Sequence, residues 1–249
     1  MWKLKRYTHI ESTQKAYAFT TGMGYGPFRL NEREDLENYQ KLAAELGSSP
    51  DRMVRVAQKH TDNILIADES CAGQGVTAAA PEGYYDGIIT NTPGLIISVV
   101  TADCVPVFVL DPVNNAAAVI HSSRVCTAAG ISVKALDMMK REYGTKASDV
   151  KVLLGPYICG SCYEVGEEVL GDFDRLYTEE EKNSFIRKKR GDKYCLDLGQ
   201  AILLQLLKAG ISQDRYMDTS LCTNHGSDFW SWRRTGDKLG RNVSGIMLL

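Results

Sequence analysis

Apolar residues in this chain gather into short runs, and the densest group of runs lies between Asp86 and Ala129. Leu95–Thr101, Val105–Leu110 and Ala116–Ile120 are rich in Val, Ile, Leu and Ala and are bounded by Pro, Gly, Asp and Asn, the pattern of largely buried strands. Asp111-Pro112-Val113-Asn114-Asn115 supplies a turn between the last two. In an antiparallel hairpin about that turn, paired residue numbers sum to a near-constant value, so Cys104 and His121 fall at the same open end. A soft thiol and an imidazole then face one small volume.

The rest of the pattern predicts elements around this hairpin. Ala16–Thr21 reads as a strand ended by the turn Gly22-Met23-Gly24-Tyr25-Gly26-Pro27. Leu36, Tyr39, Leu42, Ala43 and Leu46 recur at helical spacing, predicting an amphipathic helix over Arg33–Leu46 with Gly47 at its C-cap. Ser49-Pro50 opens a short helical turn before strands at Met53–Ala57 and Asn63–Ala67, with Gln58-Lys59-His60 between them. Residues 68–85 carry no period and read as a surface excursion.

Beyond the hairpin, Ala128–Tyr143 is predicted as a helix stopping at Gly144, with its N-terminus toward the Cys/His pair, where backbone N–H groups favour an anion. Val150–Leu154 is a strand, Val165–Tyr177 and Glu179–Arg190 are read as charged helices, and Asp197 caps a helix running to Ala209. The chain ends in a strand. Strands neither alternate regularly with helices nor dominate, and there is no repeat or linker composition, so residues 1–249 are expected to form one α+β domain. No glycine-rich nucleotide loop argues for a doubly wound fold.

Composition narrows the partners more than the fold. Of 249 residues, 44% are hydrophobic, enough for a substantial core, and 29 basic against 31 acidic residues are interspersed, giving a formal net charge of −2. Nothing here points to a nucleic acid or a membrane. The start of the chain lacks an apolar leader and no run is long enough to span a bilayer, so a cytoplasmic protein, monomeric or homodimeric, is expected. Seven cysteines without framework spacing are expected as free thiols. Cys159 and Cys162 form a C-x-x-C without a second such pair and read as a turn with two buried thiols, zinc or redox chemistry being the minor alternative.

A single strand-end histidine is usually a satisfied or exposed imidazole, and a single cysteine a small buried hydrophobe. The combination matters here. His60, Cys104 and His121 make a ligand set that leaves zinc one open position; Cys104 with His121 also makes a nucleophile and base. The residues alone leave both chemistries open. Asp86 and Asp103 can orient ligands, exchange protons or close turns. Arg233 and Arg234 lie in an aromatic cluster with Phe229, Trp230 and Trp232, which suits phosphate and purine contacts, or else an amphipathic strand with Trp230 and Trp232 inward.

Gln58-Lys59-His60, Asp86-Gly87-Ile88-Ile89-Thr90, Thr101-Ala102-Asp103-Cys104-Val105-Pro106-Val107, His121-Ser122, Gly155-Pro156, Cys162-Tyr163-Glu164-Val165-Gly166, Cys222-Thr223 and Ser231-Trp232-Arg233-Arg234 stand in one order along most of the chain. In these motifs it resembles the multicopper polyphenol oxidase (laccase-domain) family of the YfiH type, also described as purine nucleoside phosphorylases and peptidoglycan editing factors. The resemblance implies layered mixed β-sheets flanked by helices, broadly like certain cysteine-hydrolase toxins. It implies zinc on His60, Cys104 and His121, with copper as the alternative metal. The implied reaction is phosphorolysis of adenosine and related purine nucleosides, with phosphate as co-substrate and adenosine deamination alongside. Cys104 and Asp103 are then the candidate catalytic groups, and Arg233, Arg234, Asp86 and Arg124 the candidate substrate contacts. Copper-dependent polyphenol oxidation, peptidoglycan-precursor hydrolysis and a catalytically weakened zinc-binding scaffold are the competing functions.

The chain departs from the family pattern after the second histidine. The usual H-[AS]-[GS]-W-[RK]-G stands here as His121-Ser122-Ser123-Arg124-Val125-Cys126, and the usual T-T-R as Thr20-Thr21-Gly22. Arg124 is the basic group at hand to replace the missing one, but on a strand a one-residue shift turns a side chain to the other face. The expectation is an intact metal set with an altered grip on substrate.

Overall fold

A computed structural model describes residues 3–29, 35–236 and 240–249. The first half runs through β1 (Leu4–Arg6), the single turn α1 (Thr8–Glu11), β2 (Ala16–Thr21), α2 (Leu36–Glu45), β3 (Met53–Arg55), β4 (Ile64–Ile66), β5 (Gly87–Thr90), β6 (Ile96–Thr101), β7 (Val105–Asp111) and β8 (Ala116–Ser122). The second half holds α3 (Arg124–Ala129), α4 (Ile131–Tyr143), β9 (Lys151–Leu154), β10 (Glu164–Gly166), α5 (Glu179–Phe185), β11 (Ile186–Lys188), β12 (Lys193–Leu196), α6 (Leu198–Lys208), β13 (Tyr216–Asp218), α7 (Trp232–Thr235) and β14 (Asn242–Leu248).

The strands make a five-stranded sheet in the order β1-β2-β14-β6-β3, a six-stranded sheet β13-β9-β7-β8-β5-β4, and a three-stranded sheet β10-β12-β11. The two larger sheets are mixed. β3 lies parallel to β6, and β4 and β13 parallel to β5 and β9, while their other pairings are antiparallel. This is the α+β class that the element pattern predicts.

Successive side chains on a strand point to opposite faces, and both faces of the central strands are covered. From β7, Phe108 and Leu110 meet Ile97 and Val99 of β6 and Ile246 of β14 between the two sheets, whereas Val105, Val107 and Val109 pack toward Ile131, Ala135 and Ile202 of α4 and α6. On the far side of the five-stranded sheet, Ile96, Val100 and Val243 pack with Tyr39, Leu42 and Ala43 of α2. The result is a helix, sheet, sheet, helix stack. It explains why the runs around Cys104 are continuously apolar instead of alternating.

The hairpin register is Val105 opposite Ser122 and Pro106 opposite His121, as its turn requires. Asp111 closes that turn: its Oδ1 accepts from the N–H groups of Val113 and Asn114, at 2.9 and 3.0 Å. Gly47 and Gly210 take up positive φ at the ends of α2 and α6, and Asp197 Oδ1 caps α6 through the Gln200 N–H. The predicted start of α2 at Arg33 lies outside the described residues.

Four expectations change. The helix after His121 begins at Arg124, not Ala128, and breaks at Gly130, whose φ of +80° divides α3 from α4. Val165–Tyr177 is a strand end followed by a 3-10 turn over Glu167–Phe173, and Glu179–Arg190 is helical only to Phe185 before β11 begins. Residues 229–233 form no strand. Ser231 caps the short helix α7, Phe229 is buried, and Trp232 is 53% exposed rather than inward. Charge-rich sequence conceals the small sheet, because β11 and β12 are recognisable by their pairing and not by an apolar period.

Candidate metal centre

His60, Cys104 and His121 come together where the chain crosses between the two large sheets. His60 lies between β3 of one and β4 of the other, and Cys104 between β6 and β7. Both crossovers use backbone that non-glycine residues seldom adopt: His60 has φ +58° and Asp103 φ +90°. The ligand atoms of the three residues lie within 4.8 Å of one another, and the two imidazole rings are 5.2 Å apart.

Surrounding groups hold this arrangement. The Gln58 side chain clamps β6, donating to Val100 O at 2.9 Å and accepting from its N–H at 2.8 Å. The fully buried Asp86 does more: one carboxylate oxygen lies 2.7 Å from His121 Nδ1, and the other accepts from the Thr61 N–H at 2.6 Å and the Lys59 N–H at 3.3 Å. Asp86 therefore grips both histidine segments and leaves His121 Nε2 facing Cys104. Burial pushes the His121 imidazole down, but the neighbouring Cys104 sulfur and the Asp86 carboxylate outweigh it and raise the value to about 9. At His60, desolvation and the His121 charge lower it.

The three residues open into a cavity of about 480 Å³, within the range of small-molecule sites. Val100, Ile158, Leu198, Tyr163 and Trp232 give it an apolar and aromatic lining, and Arg124, Arg233 and Arg241 give it positive charge. Arg233 is braced by Glu164 O at 3.1 Å and lies 5.4 Å from the Tyr163 ring centre. Arg124 stands in the first turn of α3 and pairs with Asp172, so the strand-face argument against it does not apply.

Two expected substrate contacts lie elsewhere. Asp86 sits behind His121 and does not line the cavity. Arg234 does not line it either: its guanidinium donates to the carbonyls of Thr223, Gly226 and Phe229 and braces that loop. Asp103 does line the cavity, yet its carboxylate is engaged, accepting from Thr223 Oγ1 at 2.5 Å and the Arg233 N–H at 2.6 Å. Arg241 and Tyr163 are cavity residues that the sequence reading missed. Tyr163 stands in the Cys162-Tyr163-Glu164-Val165-Gly166 motif, which assigned it no role, and Arg241 carries no local signal, since it enters from a segment distant in sequence from the Cys/His motif.

The family model described as multi-copper polyphenol oxidoreductase laccase matches residues 30–249. The chain belongs to this family. A purine nucleoside phosphorylase of Bacteroides thetaiotaomicron is 35% identical over 225 residues, covering 89% of this chain and 83% of that one. An adenosine deaminase from an unknown prokaryotic organism is 30% identical over 208 residues, covering 82% and 78%. The crystal structure of the hypothetical protein YfiH of Bacillus licheniformis matches with a TM-score of 0.88 at 28% identity, over 94% of this chain and 93% of the other.

Within this laccase-family fold, Cys126, which stands where the family pattern has glycine, is fully buried in α3 and lies 3.0 Å from Thr61 O. Burial pushes its thiol up to about 12, so it is a poor nucleophile at neutral pH. The expected turn with two buried thiols is corrected. Cys159 and Cys162 are only partly buried, and they meet Cys222 and His225. Among the described residues no helix is long and apolar enough to cross a membrane.

Proposed function

We propose that this chain is a zinc-dependent purine nucleoside phosphorylase, converting adenosine and phosphate to adenine and ribose 1-phosphate. The observation that carries the proposal is one cavity holding a two-histidine, one-cysteine group together with three arginines and an aromatic wall. Two imidazoles and a thiolate, with His121 oriented by Asp86, fit a zinc ion that keeps one position open toward the cavity. Zinc bound by His60, Cys104 and His121 would supply Lewis acidity toward a substrate oxygen or nitrogen.

The chain's own groups supply the rest. Arg124, Arg233 and Arg241 bind the phosphate dianion, the guanidinium fork matching its oxygens. Tyr163 and Trp232 offer π faces to the purine. An oxygen of hydrogen phosphate forms the new bond at C1′ of the ribose as the C1′–N9 bond breaks, and the departing base takes up the proton that the hydrogen phosphate loses. Asp103, with both carboxylate oxygens already accepting hydrogen bonds, positions Cys104 and Arg233 rather than exchanging that proton.

Adenosine deamination is the second reading, favoured by the deaminase relative and requiring the same metal group and purine pocket. Blue-copper electron transfer fits the cavity less well, since it wants a weak axial methionine and none lines the cavity among the described residues. The deciding experiment incubates metal-quantified protein with adenosine and phosphate and separates the products, with Cys104→Ala in parallel. Adenine with ribose 1-phosphate, absent from the variant, is the expected result. Inosine alone moves the assignment to deamination, and untouched adenosine from zinc-loaded protein ends both.

A further inference from the structure

The segments that follow β9 and β13 continue the parallel pairing of those strands. Tyr157 bridges Cys222, the Tyr157 N–H donates to Leu221 O at 3.1 Å, and the Thr223 N–H donates to Tyr157 O at 3.0 Å. Each segment then turns and offers two metal-binding side chains at the same spacing, Cys-x-x-Cys at 159–162 and Cys-x-x-His at 222–225. The three thiols and the imidazole lie within 4.8 Å of one another, with Cys162 Sγ 3.0 Å from His225 Nε2.

Three thiolates and one imidazole form a closed tetrahedral zinc set, and metal–ligand bonds of about 2.0–2.3 Å place the ligand atoms roughly 3.5–4 Å apart. The observed cluster needs only small side-chain movements to reach that spacing. The Cys159 N–H donates to Cys222 Sγ at 3.4 Å, a bond that supports a thiolate ligand, and Cys159 O accepts from the N–H groups of Cys162 and Tyr163, which fixes the turn. The cluster is distinct from the cavity group: none of its four residues lines the cavity, whereas their neighbours Ile158 and Tyr163 do.

We propose that Cys159, Cys162, Cys222 and His225 bind a structural zinc ion that pins the loop carrying Tyr163 to the loop leading into Trp232 and Arg233. This ion has no open position for substrate. It acts by holding two walls of the cavity together, in series with the bonds that Arg233 makes to Glu164 O and Arg234 to Thr223 O.

The test is metal content in the full chain carrying His60→Ala, which removes a ligand from the cavity group. After dialysis against a weak chelator this variant should keep about one zinc per chain, and adding Cys159→Ser or His225→Ala should bring it close to zero. Cobalt(II) offered in place of zinc should give thiolate-to-metal charge-transfer absorption in the His60→Ala protein, lost on adding Cys159→Ser. His225 is exposed, so its variant keeps the test valid if a cysteine change impairs folding, with circular dichroism as the check. The result reads the second cluster whether or not the cavity group holds a metal, because it depends on Cys159 and His225 alone. Zinc content indifferent to both, a His60→Ala protein without zinc, or a Cys159–Cys222 disulfide in the unreduced protein would each overturn the proposal.

Discussion

Asp86 shows how much of the centre depends on a residue that never faces the cavity. It bonds to His121 Nδ1 and to the backbone on either side of His60, so one carboxylate sets the direction of two candidate metal ligands. Losing such a partner typically weakens metal affinity by about 10- to 100-fold. Asp86→Asn, which keeps the shape, is therefore expected to weaken zinc binding by about that factor with little loss of fold, read by competition against a chromophoric chelator. Unchanged affinity would show that the His60 and His121 segments are held by packing alone. Cys104 and His121 were legible as a pair because hairpin arithmetic and the T-A-D-C motif agree on them, and His60 only through its Gln58-Lys59-His60 motif. For Asp86 the sequence offered ligand orientation beside proton exchange and turn closure, and could not choose among them, since its place behind His121 comes from strand pairing with β8, which no local pattern encodes. Arg233 and Arg234 are neighbours with opposite fates for a similar reason: a one-turn helix, not an alternating strand, sets their directions.

At the scale of elements, the β7–β8 hairpin is what aligns Cys104 with His121, and its turn is closed by a shielded carboxylate. Asp111 accepts from two backbone N–H groups and from Asn114 Nδ2 at 2.8 Å, and despite the opposing effect of burial these bonds hold its carboxyl below the usual carboxylate value. A depressed folded value means the stabilisation is present above about pH 4, the unfolded value, and is lost as pH falls through the folded one. Asp111→Ala is expected to cost about 1–3 kcal/mol at neutral pH, with the gap to wild type narrowing in acid, as measured by urea unfolding. A gap that does not change with pH would assign the effect to turn shape instead of charge. Gly155, just after β9, faces a different constraint. A Cβ there would meet Pro106 Cγ at 2.9 Å and Phe108 Cε2 at 3.1 Å, so Gly155→Ala should destabilise by about 1–3 kcal/mol. Long apolar strands such as β6, β7 and β8 were readable from sequence because burial on both faces writes them as continuous runs. The small sheet and the four-residue thiol and histidine cluster were not, because the former sets only single apolar residues, Val165, Ile186 and Leu196, on the core from short charged strands, and the latter completes a C-x-x-C with a C-x-x-H brought in by parallel strand pairing.

For the whole molecule, the position of the cavity group at the seam of the two large sheets would couple a metal bound there to global stability. His60 and Cys104 each sit on a crossover from the five-stranded to the six-stranded sheet, while His121 belongs to the second sheet itself. The sheets otherwise meet through apolar contacts such as Val99, Phe108 and Ile246, which have no directional preference. A zinc ion on these three side chains would fix the sheets' relative placement at the cavity end, and unfolding would disperse its ligands among three distant segments. Binding to the folded state alone stabilises by the logarithm of ligand over dissociation constant, about 2.7 kcal/mol at a hundredfold excess. For a chain of this size each 1 kcal/mol raises the midpoint by roughly 2–4 °C, so zinc at that excess should shift thermal unfolding upward by about 5–11 °C for each group that holds it. Cys104→Ala should lose the part of the shift that belongs to the seam, and Cys159→Ser the part that belongs to the two loops. The two losses should add in the double variant, because the groups share no ligand. A midpoint that zinc does not move in the wild-type chain would mean that neither group holds a metal tightly enough to matter to the fold, and the seam would then be held by its apolar core alone.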